Sequence, residues 1–193
     1  MKQAVQSIFA HLARLDIATG TRARQGLSEY RIASMLNSVG LDCPAGLINL
    51  YGISDGTAHD QADLIKDIVF FPGYYWLNLS DSIAVYREIV LDTGWDPWLL
   101  PIFASGGGDF YAVVCDGRSE DFGAVVGFLM GEEDQVVEFE SLNTMIEVIE
   151  RSFSAGAFHK PKDMLLADYE DMRRIARTVQ QQFAEHTYAP TKR

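Results

Sequence analysis

Four short apolar runs constrain the fold more than any other feature: Trp98 to Ala104, Phe110 to Cys115, Ala124 to Met130 and Val136 to Glu140. Each is rich in β-branched or aromatic residues, as strands are. Gly106-Gly107-Gly108, a polar loop from Asp116 to Gly123 and the acidic triplet Glu132-Glu133-Asp134 separate them. Parallel neighbours need a crossover of about a dozen residues or more, and these links are shorter. The runs must therefore pair antiparallel, in chain order. Leu64 to Phe71, closed by Pro72-Gly73, and Trp76 to Leu79 are two further strand candidates.

Outside the meander the apolar period is helical. Val5, Ile8, Phe9, Leu12 and Leu15 share one face of an N-terminal helix. A loop from Thr19 to Leu27 leads to Ser28, which can cap a helix bearing Ile32, Met35, Leu36 and Val39. Pro44 suits the first turn of a short helix that stops at Gly52, before a turn-rich run from Ser54 to Asp60. Ser80 or Asp81 caps a helix with Ile83, Tyr86, Ile89 and Val90, and Leu142 to Phe153 form another. A last helix begins at Pro161, with Leu165, Tyr169, Met172, Ile175, Val179 and Phe183 on its apolar face. The expectation is an α+β fold: an antiparallel β-meander of about four to six strands with helices segregated at both ends. At 193 residues one domain is expected overall. It divides into an N-terminal helix and loop (1–27), a central α+β part (28–155) and a C-terminal helix (156–193) packed on it.

Charge narrows the partners. Residues 1–40 and 151–193 each carry +3, residues 41–108 carry −7, and residues 109–150 hold eleven acids against Arg118 alone. A phosphate backbone would be repelled by that middle, which excludes nucleic acid as the main ligand. A basic protein partner is compatible with it, and simple solubility explains the same excess. Apolar runs are too short to span a membrane, and His11, Arg14 and Asp16 interrupt the start where a signal peptide is apolar. With two cysteines, Cys43 and Cys115, and no disulfide framework, the expected location is cytoplasmic.

Catalytic motifs are scarce. Gly106-Gly107-Gly108 opens no helix and lacks the lysine of a phosphate loop, so it reads as a hairpin turn. His11, His59, His159 and His186 are scattered without zinc spacing, and both cysteines lie in apolar runs that would keep a thiol inert. Glu138 and Glu140 stand two apart on a strand, about 6.6 Å between Cα atoms. Retaining glycosidases hold two carboxyl groups about 5–5.5 Å apart. Val137 and Phe139 alternate with this pair, however, as on a strand with one wet face. No enzyme, cofactor or metal is expected.

Aromatics are concentrated instead: Phe70, Phe71, Tyr74, Tyr75 and Trp76, with Trp95 and Trp98 around Asp96-Pro97. Such clusters build either cores or interface hot spots. Tyr74 and Tyr75, just after Pro72-Gly73, are the ones expected at the surface.

The order of these motifs resembles the SUKH superfamily, in its Smi/Knr branch named after a fungal cell-wall-synthesis regulator. The resemblance covers about residues 28–155. It rests on Leu41-Asp42-Cys43-Pro44 through Asp55-Gly56, then Phe71-Pro72-Gly73-Tyr74 before a helix. Trp98-Leu99-Leu100-Pro101-Ile102 with Gly107-Gly108-Asp109 comes next, followed by Gly123-Ala124-Val125 and a helix after Phe139. Asp109 stands where the fungal branch often has Asn. The resemblance implies a protein-binding module without catalytic residues. In bacteria that is an immunity protein neutralising a polymorphic toxin, among which nucleases with basic surfaces are common. The alternative is a regulatory scaffold for an endogenous protein, as in the fungal branch. On the first reading Tyr74, Tyr75 and Trp76 are candidate anchors, with Asp109, Glu132, Glu133 and Asp134 as acidic contacts.

Overall fold

The computed structural model describes residues 1–58, 63–91, 94–132 and 134–187, with side chains to residue 183. Helix α1 (Lys2–Arg14) buries Val5, Ile8 and Leu12 completely. A 3₁₀ turn (Ala18–Arg22) leads into strand β1 (Ala23–Gln25). Helix α2 (Glu29–Asn37) starts where the Ser28 hydroxyl accepts the Arg31 N–H, and α3 (Ala45–Ile53) follows Pro44. Strand β2 (Ser54–Thr57) pairs antiparallel with β1. Beyond it lie the single turn α4 (Ile65–Ile68), strands β3 (Val69–Phe71) and β4 (Tyr74–Trp76), and helix α5 (Leu79–Ile89). Then come β5 (Leu99–Ala104), β6 (Phe110–Val114), β7 (Val125–Phe128) and β8 (Val136–Phe139). Helix α6 (Leu142–Ser154), the small hairpin β9 (Phe158–His159) and β10 (Leu166–Ala167), and α7 (Tyr169–Thr187) complete the fold.

Strands β3 to β8 form one six-stranded sheet in sequence order, every pair antiparallel, curled into a half-barrel. The α+β meander expected from the link lengths is thus the architecture. Period-two alternation divides it into two faces. Inward-facing Tyr111 and Val113 of β6, and Cys115 just after it, join Phe70, Trp76, Phe103, Val125 and Phe139 in the main core, against α1, α3, α5 and α6. Outward-facing Ala112 and Val114 join Leu99, Ala124, Val126 and Trp95 in a second, smaller cluster flanked by Phe110 and Phe128. Helix α7 lies on α6; it buries Val179, and Gln180 Nε2 donates to the Glu138 carbonyl at 2.8 Å.

Four local expectations are corrected. Part of the run read as turns, residues 54–57, is β2, every residue buried; residues 59–62 lie outside the described part. Between Leu64 and Phe71 only the last three residues are strand. Leu64 is 59% exposed and Ile65–Ile68 make a helical turn instead. The final helix starts at Tyr169, because the Asp168 carboxylate accepts the N–H groups of Glu170 and Asp171, while Pro161 sits in the β9–β10 turn.

The fourth correction concerns α5, which is capped by Asn78. Its Oδ1 accepts the Asp81 N–H at 3.0 Å, and Asp55 Oδ1 accepts the Leu79 N–H at 2.8 Å. Asn78 is 6% exposed, so water cannot replace it readily. Asn78→Ala is expected to cost about 0.5–2 kcal/mol, the range for a lost N-cap, measured by urea unfolding. A loss below about 0.3 kcal/mol would contradict this capping role.

Candidate partner-binding surface

In an antiparallel meander every second turn falls at the same end. The pairings Tyr75 with Ala104 and Phe110 with Phe128 therefore bring three turns together: Pro72-Gly73, Ser105 to Asp109, and Leu129 to Gln135. Most of the acidic and aromatic residues singled out from the sequence gather there. Asp109 Oδ1 accepts the Met130 N–H at 3.1 Å, tying the second turn to the third. The Gln135 side chain braces the third turn, bonding both the N–H and the carbonyl of Leu129 and the carbonyl of Glu132. Glu132 and Asp134 are exposed on this braced turn, and Glu133 lies outside the described residues.

Alternation along β4 separates the aromatic candidates. Tyr74 faces the main core and is half-buried, stacking on Phe71 at 5.1 Å between ring centroids and meeting Tyr111 edge-on at 4.9 Å. Burial, with Asp109, Glu138 and Tyr169 nearby, pushes its hydroxyl pKa up to about 12. Tyr75 points to the opposite face, and burial raises its hydroxyl as well, with Asp81 adding to the effect. Trp76 is corrected outright: fully buried against Phe9, Tyr51, Phe70 and Phe103, it is a core residue and reaches no partner. The strand's parity puts it inside.

Strand β8 also departs from expectation. Val136 and Val137 are 58% and 46% exposed, whereas Glu138 is partly buried and accepts the Tyr111 hydroxyl at 3.1 Å. Glu140 turns to the start of α6 and accepts the Thr144 hydroxyl. The two carboxylates thus have separate partners and do not face one reaction centre. Burial raises the Glu138 carboxyl above its ordinary range, outweighing the Tyr111 hydrogen bond that lowers it. The native state then holds this proton to higher pH than the unfolded chain does. Its contribution favours folding most at acid pH and is lost as pH rises through the raised value. Glu138→Gln, which still accepts from Tyr111, is expected to raise Tm near neutral pH, with the gain vanishing towards about pH 4. Thermal melts of both proteins across that range test this, and a gain independent of pH would contradict it.

The outer face carries the feature that sequence reasoning missed. Leu99, Val114, Val126 and Val137, contributed by four adjacent strands, line a groove of about 220 Å³ with Phe128. Asp96, Ser119 and Asp121 stand along it, and Gln135 lines it as well. Trp95 braces one corner, 4.6 Å from Phe128 between ring centroids and donating its indole N–H to the Leu99 carbonyl. In the turn that follows Phe128, Leu129 and Met130 are 48% and 66% exposed, so this hairpin exposes four large apolar side chains with Val136 and Val137. Arg118, the one base between residues 109 and 150, is held by Asp116 and lies over the Trp98 ring at 5.1 Å. An exposed apolar hairpin set among acids is chemically suited to a partner that is apolar at its centre and basic at its rim.

Among the described residues no group of three His, Cys, Asp or Glu side chains could hold a metal ion, and no helix is long and apolar enough to cross a membrane. His11 stacks on Phe153; His59 and the side chain of His186 lie outside the described part. The fold and surface together define an α+β protein built on a six-stranded antiparallel meander. Neither the models of known protein families nor the curated proteins include a match to the chain.

Proposed function

We propose that the chain is a non-catalytic protein-binding module whose partner is a basic protein domain. The particular reading is an immunity protein that neutralises a cognate toxin, a nuclease being the natural case, by covering its basic surface. One observation carries it. The β7–β8 hairpin exposes Leu129, Met130, Val136 and Val137 around the acidic turn of Glu132 and Asp134. Four large apolar side chains exposed on one hairpin exceed the singly scattered exposure of ordinary surfaces, and such concentrations mark interaction sites. The surrounding acids would speed association with a basic partner and exclude acidic ones. The motif order that resembles the SUKH superfamily supports the toxin reading, and the separate engagement of Glu138 and Glu140 supports a non-catalytic one.

The four apolar side chains would equally serve a regulatory scaffold, whose contact would be dominated by them and little affected by salt. Affinity capture of the tagged protein from its native cell extract, at low and high ionic strength, separates the two. The immunity reading predicts one stoichiometric basic polypeptide that is lost at high salt and whose own activity stops when it is bound. A salt-tolerant set of housekeeping proteins would overturn it in favour of the scaffold.

A further inference from the structure

We infer that the outer-face groove receives an extended peptide segment of the partner in which one aromatic or aliphatic side chain is flanked by lysine or arginine. This deepens the protein-binding reading and rests on it. The groove's floor is apolar and continuous across β5 to β8, through Leu99, Val114, Val126 and Val137. At about 30 Å³ per water, its roughly 220 Å³ would hold some seven waters, room for one large side chain. The rim is acidic: Asp96 and Asp121 line the groove, and neither has an ion-pair partner among the described residues. Arg118, the nearby base in sequence, is engaged by Asp116 and cannot neutralise them without leaving it. Asp96 Oδ1 accepts the Trp98 N–H, but an apolar anchor alone would leave both carboxylates without a counter-charge at the edge of a desolvated contact, and a basic segment alone would leave the floor wet. Only a segment carrying both satisfies floor and rim. An acidic segment or a nucleic acid strand is repelled by the same carboxylates.

The probe is a capped pentapeptide, Ser-Lys-Phe-Lys-Ser, titrated into the ¹⁵N-labelled full chain at low salt. Two controls accompany it: Ser-Lys-Ser-Lys-Ser, without the anchor, and Ser-Glu-Phe-Glu-Ser, with the charge reversed. The expected result is saturable shifts at the amides of Leu99, Val114, Val126, Phe128 and Val137, with each control at least about tenfold weaker. Val137→Lys, at an exposed position, and Asp121→Asn should each weaken the first peptide several-fold while leaving the spectrum elsewhere unchanged. No shifts up to about 10 mM peptide, or shifts confined to other surfaces, would overturn the proposal. Equal binding of the anchorless control at Asp109, Glu132 and Asp134 would overturn the groove while leaving the acidic protein-binding reading intact. Concentration-dependent dimerisation that hides the groove amides without peptide would overturn it in favour of a second copy of this chain.

Discussion

Trp76→Ala is expected to cost about 3–5 kcal/mol of folding free energy, the range for deleting a large buried aromatic side chain. The indole is fully buried and meets the rings of Phe9, Tyr51, Phe70 and Phe103, so its removal leaves a cavity where α1, α3 and three strands converge. For a chain of this length the fall in Tm should be roughly 6–20 °C. Domain stabilities are about 5–15 kcal/mol, so the variant would lie close to unfolding under ordinary conditions. Urea unfolding measures the effect directly. A loss under about 1 kcal/mol would mean that Trp76 is not the core residue described, and would return it to the surface as a partner anchor.

Gly56→Ala comes second, at about 2–5 kcal/mol. Gly56 has φ +67°, where an L side chain costs about 1–2 kcal/mol. A Cβ there would also lie 2.6 Å from the Asn78 N and 2.7 Å from the Leu77 carbonyl carbon, both backbone atoms that no rotamer change can move. Forcing that contact adds a further 1–3 kcal/mol or so. Gly73 provides the internal comparison: at φ +84° it has a similar backbone but nothing within 4 Å of a built Cβ. Gly73→Ala should therefore show the conformational cost alone, about 1–2 kcal/mol. Equal losses in the two variants, read from urea midpoints, would show that β2 does not approach the Leu77-Asn78 backbone as closely as described.

The meander was legible because it depends on local signals: short links, turn residues and strand-forming runs. The helices capped by Ser28 and ended near Ser154 were legible for the same reason. Strand β2 was not, since Ser54-Asp55-Gly56-Thr57 has the composition of a turn. It is a strand because β1 pairs with it and the surrounding core buries it. Trp76 was misplaced because composition marks an aromatic cluster without giving its parity; only the pairing of Trp76 with Phe103 fixes which side of β4 faces inward. The same holds for Glu138, which is partly buried while its neighbour Val137 is outside, where alternation with an acidic face had the valine inside. The acidic turn could be read from Glu132 and Asp134 directly. The groove could not, because its floor takes one residue from each of four strands and exists only once the register is known.

The central claim is that the β7–β8 hairpin surface holds a basic protein partner. The most direct measurement compares the wild-type chain with Met130→Lys/Val136→Lys in binding to the polypeptide retained by affinity capture, with Tm recorded for both. Each substitution lies on an exposed side chain, so stability should change by no more than about 0.5 kcal/mol per site. Placing two positive charges on the patch should weaken binding by at least about a hundredfold, as losing two hot-spot contacts would. Wild-type affinity in a variant that folds normally would contradict the account and move the interface elsewhere on the molecule.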